Sequence, residues 1–266
     1  MHALLNIAVR AARAAGEVII RSLNRLESLT VTAKGRNDFV SEVDHAAEQE
    51  IIKQIRRSYP SHSFLAEESG HSGESETLWI IDPLDGTTNY LHGFPTFAVS
   101  IACQQRGRLE HGVVYDPISQ ELFTTTRGSG AHLDNRRIRV SKQRTLEGAL
   151  IGTGFPYRAN AQFMDPYLAM LKAVMQHTAG VRRPGAASLD LAYVAAGRTD
   201  AFWEIGLSAW DTAAGTLLIQ EAGGRIGTLS GGAYTQGGNI LAGSPKVYSA
   251  MLELLAPHLP TELREG

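Results

Sequence analysis

Residues 79–90 read WIIDPLDGTTNY, an apolar run that leads into two aspartates, a glycine and two threonines. Residues 79–81 are typical of a buried strand, and this strand is predicted to end at Asp82, because Pro83 lacks the N–H group that a β-ladder requires. A tight connection then leads to a short helical turn at 87–88, whose free N–H groups favour an anion. An ordinary Asp-Pro turn with a capping threonine is the alternative.

Other carboxylates elsewhere in the chain fit the same kind of site. Hard cations such as Mg²⁺ take oxygen ligands and are usually held by one or two carboxylates together with a phosphate. Glu67 and Glu68 follow the apolar run in SHSFLAEESG, and neighbours on an extended chain face opposite ways, so we expect only Glu67 to point into a shared site. The alternative is a solvated turn before Gly70. Asp211 opens a predicted helix, where plain N-capping is the alternative.

Several carboxylates in one place need compensating charge. At a separation of about 5 Å and an effective dielectric constant of about 20, each pair repels by roughly 3 kcal/mol. If these residues converge, either cations accompany them or some of the carboxyl groups are protonated.

Hydrophobic periodicity predicts helices at both ends of the chain and several strands between them. The apolar pattern at the N-terminus predicts an amphipathic helix. The pattern over 41–60 predicts a second helix, which opens with Ser41 and Asp44 at capping-box spacing. Short, largely antiparallel strands are predicted over 79–126. After Gly148 the pattern predicts strands mixed with helices. In chain order they are strand ALIGTGF, helix 163–177, a helix from Ala187, strand DAFWEIG, helix WDTAAGTLLIQEAGG, strand NILAGS and a last helix through Met251 and Leu255.

Composition excludes a few broad classes. The chain has 266 residues, is 43% apolar and carries a net charge of −2, so no global field draws in nucleic acid or anionic membranes. The single cysteine, Cys103, forms no internal disulfide, which fits a cytoplasmic protein. No apolar run is long enough to span a bilayer, so no membrane partner is expected.

Motifs of other enzyme classes are absent from the sequence. Neither GxGxxG nor GxxxxGK[ST] occurs, which argues against the common nucleotide-binding folds. The histidines form no HExxH group of a zinc hydrolase, and GxSxG of the serine hydrolases is missing.

WIIDPLDGTTNY followed far downstream by WDTAAGTLLIQEAGG resembles the paired signatures of the inositol monophosphatase family. The resemblance extends to KGRNDFVSEVD at 34–44, AEESG at 66–70 and the segment 182–206, covers nearly the whole chain and is greatest to bacterial SuhB-type members. It implies an α+β fold, the layered αβαβα sandwich, as a single domain over 1–266. A division into halves 1–148 and 149–266 is a weaker expectation. The resemblance also implies a homodimer and a lithium-sensitive, Mg²⁺-dependent inositol-phosphate phosphatase.

The resemblance also assigns roles to individual residues. It implies that Mg²⁺ is held by Glu67, Asp82, the carbonyl of Leu84, Asp85 and Asp211. Asp44 would lie near a weaker third ion, unless it is only a helix cap. Glu68 and Lys34 are weaker candidates, and a lone lysine is usually solvated.

For catalysis, the resemblance implies that Glu67 and Thr87 orient and deprotonate a water activated by Mg²⁺, with Asp85 also at the reacting centre, for in-line attack on phosphorus. The N–H groups of Gly86 and Thr87 would hold phosphate oxygens. The alcohol of the substrate would contact Asp85, the main chain of Ala187 and Glu204, although Glu204 could instead be a charge on an edge strand. Ser208 replaces a histidine of several animal members, so contacts on this side differ.

The expected substrate is a small phosphate ester, myo-inositol 1-phosphate in the first instance. Fructose 1,6-bisphosphate, NADP, histidinol phosphate and phosphoadenosine phosphate are alternatives within the same superfamily. A second hypothesis is a binding protein, because SuhB-type relatives are linked to transcription antitermination. The basic segment 134–144, DNRRIRVSKQR, would then contact RNA or the transcription elongation machinery, with a solvated turn region as the alternative.

Overall fold

The computed structural model describes residues 2–26, 30–35, 38–156 and 158–264, without the side chains at 33–40, 158 and 159. The side chain of Lys34, a weak candidate from the sequence, therefore lies outside the described residues.

Helices occupy the positions that the periodicity predicts. Their bounds are α1 (Ala3–Leu23), α2 (Glu42–Arg56), α3 (Thr87–Leu91), α4 (Met164–His177), α5 (Ala187–Ala195), α6 (Ala209–Glu221) and α7 (Pro245–Leu255). Short 3-10 turns lie at Arg158–Phe163, Ala256–His258 and Thr261–Leu263.

The strands form two large sheets and a hairpin. Their bounds are β1 (Val31–Gly35), β2 (Asp38–Ser41), β3 (Ser63–Ala66), β4 (Gly70–Ser72), β5 (Thr77–Asp85), β6 (Ala98–Gln105), β7 (Arg108–Asp116), β8 (Glu121–Thr126), β9 (Gly130–Leu133), β10 (Arg136–Ile138), β11 (Leu150–Thr153), β12 (Gly180–Arg182), β13 (Ala201–Leu207), β14 (Arg225–Gly227) and β15 (Gly238–Gly243). Among the described residues, the first sheet has the order β10-β9-β8-β7-β6-β5-β3-β4, the second has β12-β11-β13-β15-β14, and β1 pairs with β2.

Helices and sheets alternate in layers. Helices α1 and α2 pack on each other and on one face of the first sheet, α5 and α6 lie between the two sheets, and α4 and α7 cover the far face of the second sheet. The predicted αβαβα sandwich is therefore confirmed. The division into two halves stays a prediction: the sheets do fall on either side of residue 148, but α5 and α6 pack against both.

Strand β5 continues past the point where the sequence predicts its end. Its pairing with β6 shifts register after Asp82, which pairs with Ser100, whereas Asp85 pairs with Ala98. One extra residue is thus accommodated in a bulge that includes Pro83, where no ladder N–H is needed. The prediction that the strand ends at Asp82 is wrong for this reason, and Asp82 lies within the strand.

Candidate active site

A cavity of about 460 Å³ opens where the ends of β3 and β5 meet α3 and the first turns of α5 and α6. The residues lining it include a group of acids: Glu67, Asp82, Asp85, Asp190, Glu204 and Asp211. Leu84, Gly86, Thr87 and Ala187 line it as well. Of the described candidates from the sequence, Asp44 and Glu68 are not among the lining residues.

Asp82 is the most deeply buried of the acidic residues that line the cavity, with 1% of its surface exposed. Its Oδ1 accepts a hydrogen bond from the N–H of Leu84 at 3.0 Å, inside the bulge. Burial raises the pKa of this carboxyl group well above its ordinary value, and the negative charges of Glu67, Asp85 and Asp211 add to the effect. The carboxylates are therefore close enough to interact strongly.

Asp85 joins the first sheet to α5. Its Oδ2 accepts hydrogen bonds from the backbone N–H of Ser188 at 2.7 Å and from the hydroxyl of Ser188 at 2.6 Å. Ser188 lies in the first turn of α5, where backbone N–H groups have no partner within the helix. Asp85 thus caps α5 from a distant part of the chain, and the position of the helix is tied to that of the site.

Asp211 lies in the first turn of α6. Its Oδ2 accepts from the N–H of Ser208 at 2.6 Å, and Ser208 is the N-cap residue. Asp211 is therefore the third helical residue of a capping box and not the N-cap residue, as the alternative from the sequence would have it. One carboxylate oxygen of Asp211 thus accepts a hydrogen bond at the start of α6, and the same side chain lines the cavity.

Glu67 and Glu68 follow β3 and lie at different cavities. The N–H of Glu67 donates to the carbonyl of Ile81 at 3.1 Å, which continues the pairing with β5 and directs Glu67 to the acidic cavity. The N–H of Glu68 donates to Oε2 of the buried Glu48 at 2.8 Å. Glu68 itself lines a second cavity beside α2.

Thr87 connects the cavity to a buried carboxylate on α2. Its Oγ1 lies 2.8 Å from Oδ1 of Asp44 and 3.0 Å from the carbonyl oxygen of Leu84. The other oxygen of Asp44 accepts from the N–H and the hydroxyl of Ser41. Asp44 is therefore a helix cap, as one alternative from the sequence has it, and also the hydrogen-bond acceptor of Thr87.

Gly86 allows the chain to turn from β5 into α3. Its φ of +93° lies in the left-handed region, and a Cβ atom here would come within 2.9 Å of the carbonyl oxygen of Thr96. Glycine is therefore required at this position, which brings the first N–H groups of α3 to the cavity.

Glu204 lies on β13, the central strand of the second sheet, so the alternative of an edge-strand charge is wrong. Its carboxylate packs directly over Gly154, where any side chain would overlap it. Next to it lies Asp190, which is not among the site residues predicted from the sequence. The available signal was one aspartate inside the apolar run SLDLAYVA, where every residue of α5 up to Ala192 is buried.

The donor set of the cavity fits a hard cation in type and charge. Among the described residues, no three His, Cys, Asp or Glu side chains are grouped closely enough to hold a metal ion as they stand. Burial and the neighbouring charge of Glu67 raise the pKa of Asp82, so without a cation this carboxyl group favours keeping its proton. That proton balances charge where a divalent cation would do so, and carboxylate oxygens are the ligands that Mg²⁺ prefers.

The layered fold and the acidic cavity are compatible with a metal-dependent phosphatase, and the comparisons with known proteins support this class. The model of the inositol monophosphatase family matches residues 1–263, and the chain belongs to this family.

Relatives and solved structures match along nearly the whole chain. The chain is 56% identical to the Nus factor SuhB of Pseudomonas aeruginosa, over 99% of this chain and 100% of the relative. It is 49% identical to the Nus factor SuhB of Escherichia coli K12, again over 99% and 100%. The crystal structure of extragenic suppressor protein SuhB from Bartonella henselae has a TM-score of 0.92 at 45% identity, covering 96% of this chain and 98% of that one. The inositol monophosphatase from Anabaena has a TM-score of 0.83 at 39% identity and covers 97% of each chain.

Within the described part of the chain, no helix combines the length and the apolar character that crossing a membrane requires.

Proposed function

We propose that this protein is a Mg²⁺-dependent phosphomonoesterase that hydrolyses a small polyol phosphate, with myo-inositol 1-phosphate as the first candidate substrate. The observation that supports this proposal is the convergence of Glu67, Asp82, Asp85 and Asp211 on one cavity from three separate parts of the sequence. Mutual repulsion makes such a group unfavourable unless cations accompany it. Mg²⁺ would be held by these carboxylates and by the carbonyl of Leu84.

When bound, the cation would supply positive charge for the phosphate oxygens and lower the pKa of a nearby water molecule. The protein would supply the positioning. The N–H groups of Gly86 and Thr87 at the start of α3 would donate to phosphate oxygens. Asp85, the main chain of Ala187 and Glu204 would contact the alcohol, with Asp85 fixed in place by Ser188.

Thr87 and Glu67 would take the proton of the attacking water. The hydroxyl of Thr87 has one proton and two acceptors within reach, Asp44 and the carbonyl of Leu84. While Thr87 donates to Asp44, its own lone pairs are free to accept from a water molecule in the cavity. Asp44 would therefore act through Thr87 as an acceptor at the end of a short relay.

The test is a phosphate-release assay with Mg²⁺ across inositol 1-phosphate, fructose 1,6-bisphosphate, NADP, phosphoadenosine phosphate and histidinol phosphate, with and without lithium. We expect wild type to prefer the inositol ester and Asp85→Asn to lose at least about 100-fold in kcat, because one metal ligand loses its charge.

Asp116→Asn is the matched control for this assay. Asp116 is buried, its Oδ1 accepts from the N–H groups of Ile118 and Ser119, and it does not line the cavity. This variant should keep its activity within about threefold. Retention of most activity by Asp85→Asn, or absence of activity on every ester in wild type, would contradict the proposal.

A second candidate function is binding to the transcription machinery or to RNA. The relatives named Nus factor SuhB support it, as does the exposure of the basic residues of segment 134–144: Arg136, Arg137, Arg139, Lys142 and Arg144. Arg137 packs on Gly130 and Arg139 donates to the carbonyl of Glu221, so these two also have structural contacts. Homodimer formation and lithium sensitivity stay predictions.

Charge reversal at Arg136, Lys142 and Arg144 tests this second function without disturbing those contacts. Filter binding to RNA and pull-down of elongation complexes should weaken by about tenfold or more in this triple variant, since each cation neutralises a phosphate, and should be unchanged in Asp85→Asn. Loss of binding in Asp85→Asn alone would contradict a role for the basic segment.

A further inference from the structure

Asn89 lies in the motif WIIDPLDGTTNY and lines the acidic cavity, but no role in metal binding or phosphate binding has been given to it. Its Nδ2 donates to the carbonyl oxygen of Thr96 at 2.8 Å and to that of Pro184 at 2.8 Å, and the carbonyl oxygen of Gly185 lies 3.4 Å away. A primary amide has two N–H groups, so the two short hydrogen bonds use both. The donor side of Asn89 therefore acts on the backbone that it holds and not on a substrate.

The two short hydrogen bonds of Asn89 reach two different segments of the chain. Thr96 precedes β6, and its carbonyl oxygen is the atom that a Cβ on Gly86 would meet at 2.9 Å, so it lies against the turn that we propose to bind phosphate. Pro184 lies three residues before Ala187, the first residue of α5 and the proposed main-chain contact of the alcohol. Asn89 thus joins the phosphate side of the site to the alcohol side.

The start of α5 is held by side chains from another part of the chain. Its N-cap residue, Ala186, has no side chain that could cap the helix, and the N–H of Ser188 donates to Asp85 instead. The contact of Asn89 with Pro184 is displaced from this one by four residues on each segment. The two contacts therefore connect 85–89 with 184–188 at both ends.

Gly185 allows Asn89 to approach this segment closely. Its φ of +90° lies in the left-handed region, and a Cβ atom here would lie 3.2 Å from Nδ2 of Asn89 and 3.0 Å from a guanidinium nitrogen of Arg183. A side chain at this position would therefore strain the backbone and crowd the amide that holds it.

We propose that Asn89 is a positioning residue that holds the start of α5 where its main chain can contact the alcohol of the substrate. This inference rests on the proposed phosphatase function and deepens it, because the preference for a polyol ester would then depend on Asn89 although the protein itself uses both N–H groups of the amide. An ester whose alcohol carries further hydroxyl groups would use the main chain of Ala187, whereas an ester without them would not. Binding of a polyol ester should therefore depend on Asn89 more than binding of a simple ester.

Asn89→Ala tests the inference because it removes both donors without adding charge. We expect the KM for myo-inositol 1-phosphate to rise by about tenfold, because two hydrogen bonds that position the start of α5 are lost. The KM for phenyl phosphate, whose leaving group carries no other hydroxyl, should stay within about twofold. For both esters kcat should fall by less than about threefold, since Asp85 keeps its two hydrogen bonds from Ser188.

Asn89→Ser is a second variant, which replaces the two N–H donors with one hydroxyl donor. It should show the same difference between the two esters at a smaller size, and it serves as the test if Asn89→Ala does not fold. Gln54→Ala is the matched control. Gln54 is half-buried on α2, its Nε2 donates to Oε1 of Glu50 at 2.7 Å, and it does not line the cavity, so its loss should leave both KM values within about twofold.

Backbone hydrogen exchange, followed by mass spectrometry, separates this inference from the proposed function. In Asn89→Ala the segment 186–190 should exchange at least about tenfold faster than in wild type, because its N–H groups of Ser188 and Asp190 are protected by contacts at the start of α5. The start of α6, at 208–213, should keep its rate. Absence of activity on every ester in wild type would contradict the proposed function, yet faster exchange of 186–190 alone would still support the role of Asn89.

Three results would overturn the inference. The first is an unchanged exchange rate over 186–190 in Asn89→Ala. The second is exchange that becomes faster by the same factor over 186–190 and 208–213, which would show a general loss of stability. The third is a KM that rises equally for both esters or for neither, which would show that the alcohol side of the site does not depend on Asn89.

Discussion

At the scale of single residues, the carboxylates of the site each perform two tasks. Asp82, Asp85 and Asp211 each use one oxygen to accept from a backbone N–H, of Leu84, Ser188 and Ser208 respectively. A carboxylate has two oxygens and about four acceptor positions, so this bond leaves capacity for a cation. Fixing one oxygen also holds the side chain in place before any ligand binds, which is the positioning that a catalytic site requires.

Whether a site residue can be predicted from the sequence depends on how far along the chain its interaction partners lie. The motif DPLDGTT places two acids beside the turn that we propose to bind phosphate, so a shared role can be inferred from local chemistry. Asp190 differs, because its neighbours Gly152 and Glu204 lie on β11 and β13. These two strands pair with each other and come next to α5 only in the folded protein. The bond between Thr87 and Asp44 spans 43 residues and is equally invisible in the sequence.

At the scale of elements, α5 and α6 pack unusually closely at one point. Gly215 of α6 faces Leu191 of α5, and a Cβ atom on Gly215 would lie 2.5 Å from the Cβ of Leu191. We expect Gly215→Ala to lower the free energy of unfolding by about 1–2 kcal/mol, because overpacking costs more than the gain in helix propensity returns. Denaturant unfolding measures this change.

Gly180→Ala is the control for that substitution, since a Cβ atom on Gly180 meets only the tips of flexible side chains, at 3.4 Å or more. Its stability should change by less than about 0.5 kcal/mol. Adding Leu191→Ala to Gly215→Ala should restore part of the loss beyond what additivity allows. Strict additivity, or wild-type stability for Gly215→Ala alone, would show that the two helices are free to move apart.

The elements that the sequence predicts well are those defined by local periodicity. The predicted faces of α1 and α2 are buried as expected: Leu4, Leu5, Ala8, Ala11, Ala12 and Ala15 on the first, and Val43, Ala47, Ile51 and Ile55 on the second. The passage of β5 through Pro83 was not predictable, because the bulge depends on the register with β6. The parallel pairing of β3 with β5 likewise depends on the tertiary structure and not on local periodicity.

At the scale of the whole molecule, the layered fold brings acidic side chains together in one cavity. The net charge of the chain gives no indication of this. A total of −2 over 266 residues gives no sign of a cavity lined by six acidic side chains. The stack brings them together because the ends of β3 and β5 meet the first turns of α5 and α6 in the middle layer. Stability without a cation should therefore depend on the protonation of this one site.

The pKa of Asp82 determines whether the stability of the cation-free protein rises or falls with pH. Burial, followed by the charges of Glu67, Asp85 and Asp211, raises it well above the ordinary 3.8. Without a cation, the folded protein therefore keeps a proton that the unfolded chain releases, and this carboxyl group lowers the free energy of unfolding as pH rises from about 4 through the raised pKa. A bound cation would take the place of the proton, so its stabilising effect should increase with pH.

We therefore expect Mg²⁺ at about 100 times its dissociation constant to raise the melting temperature by about 5–10 °C near pH 8 and by less than half as much near pH 5. Scanning calorimetry of the metal-free protein, with and without Mg²⁺, measures both shifts. Asp82→Asn should lose most of the response, whereas Asp116→Asn, whose carboxylate accepts from the N–H of Ile118 and does not line the cavity, should keep it. Equal shifts at the two pH values, or a full response in Asp82→Asn, would mean that the cation binds away from this carboxylate.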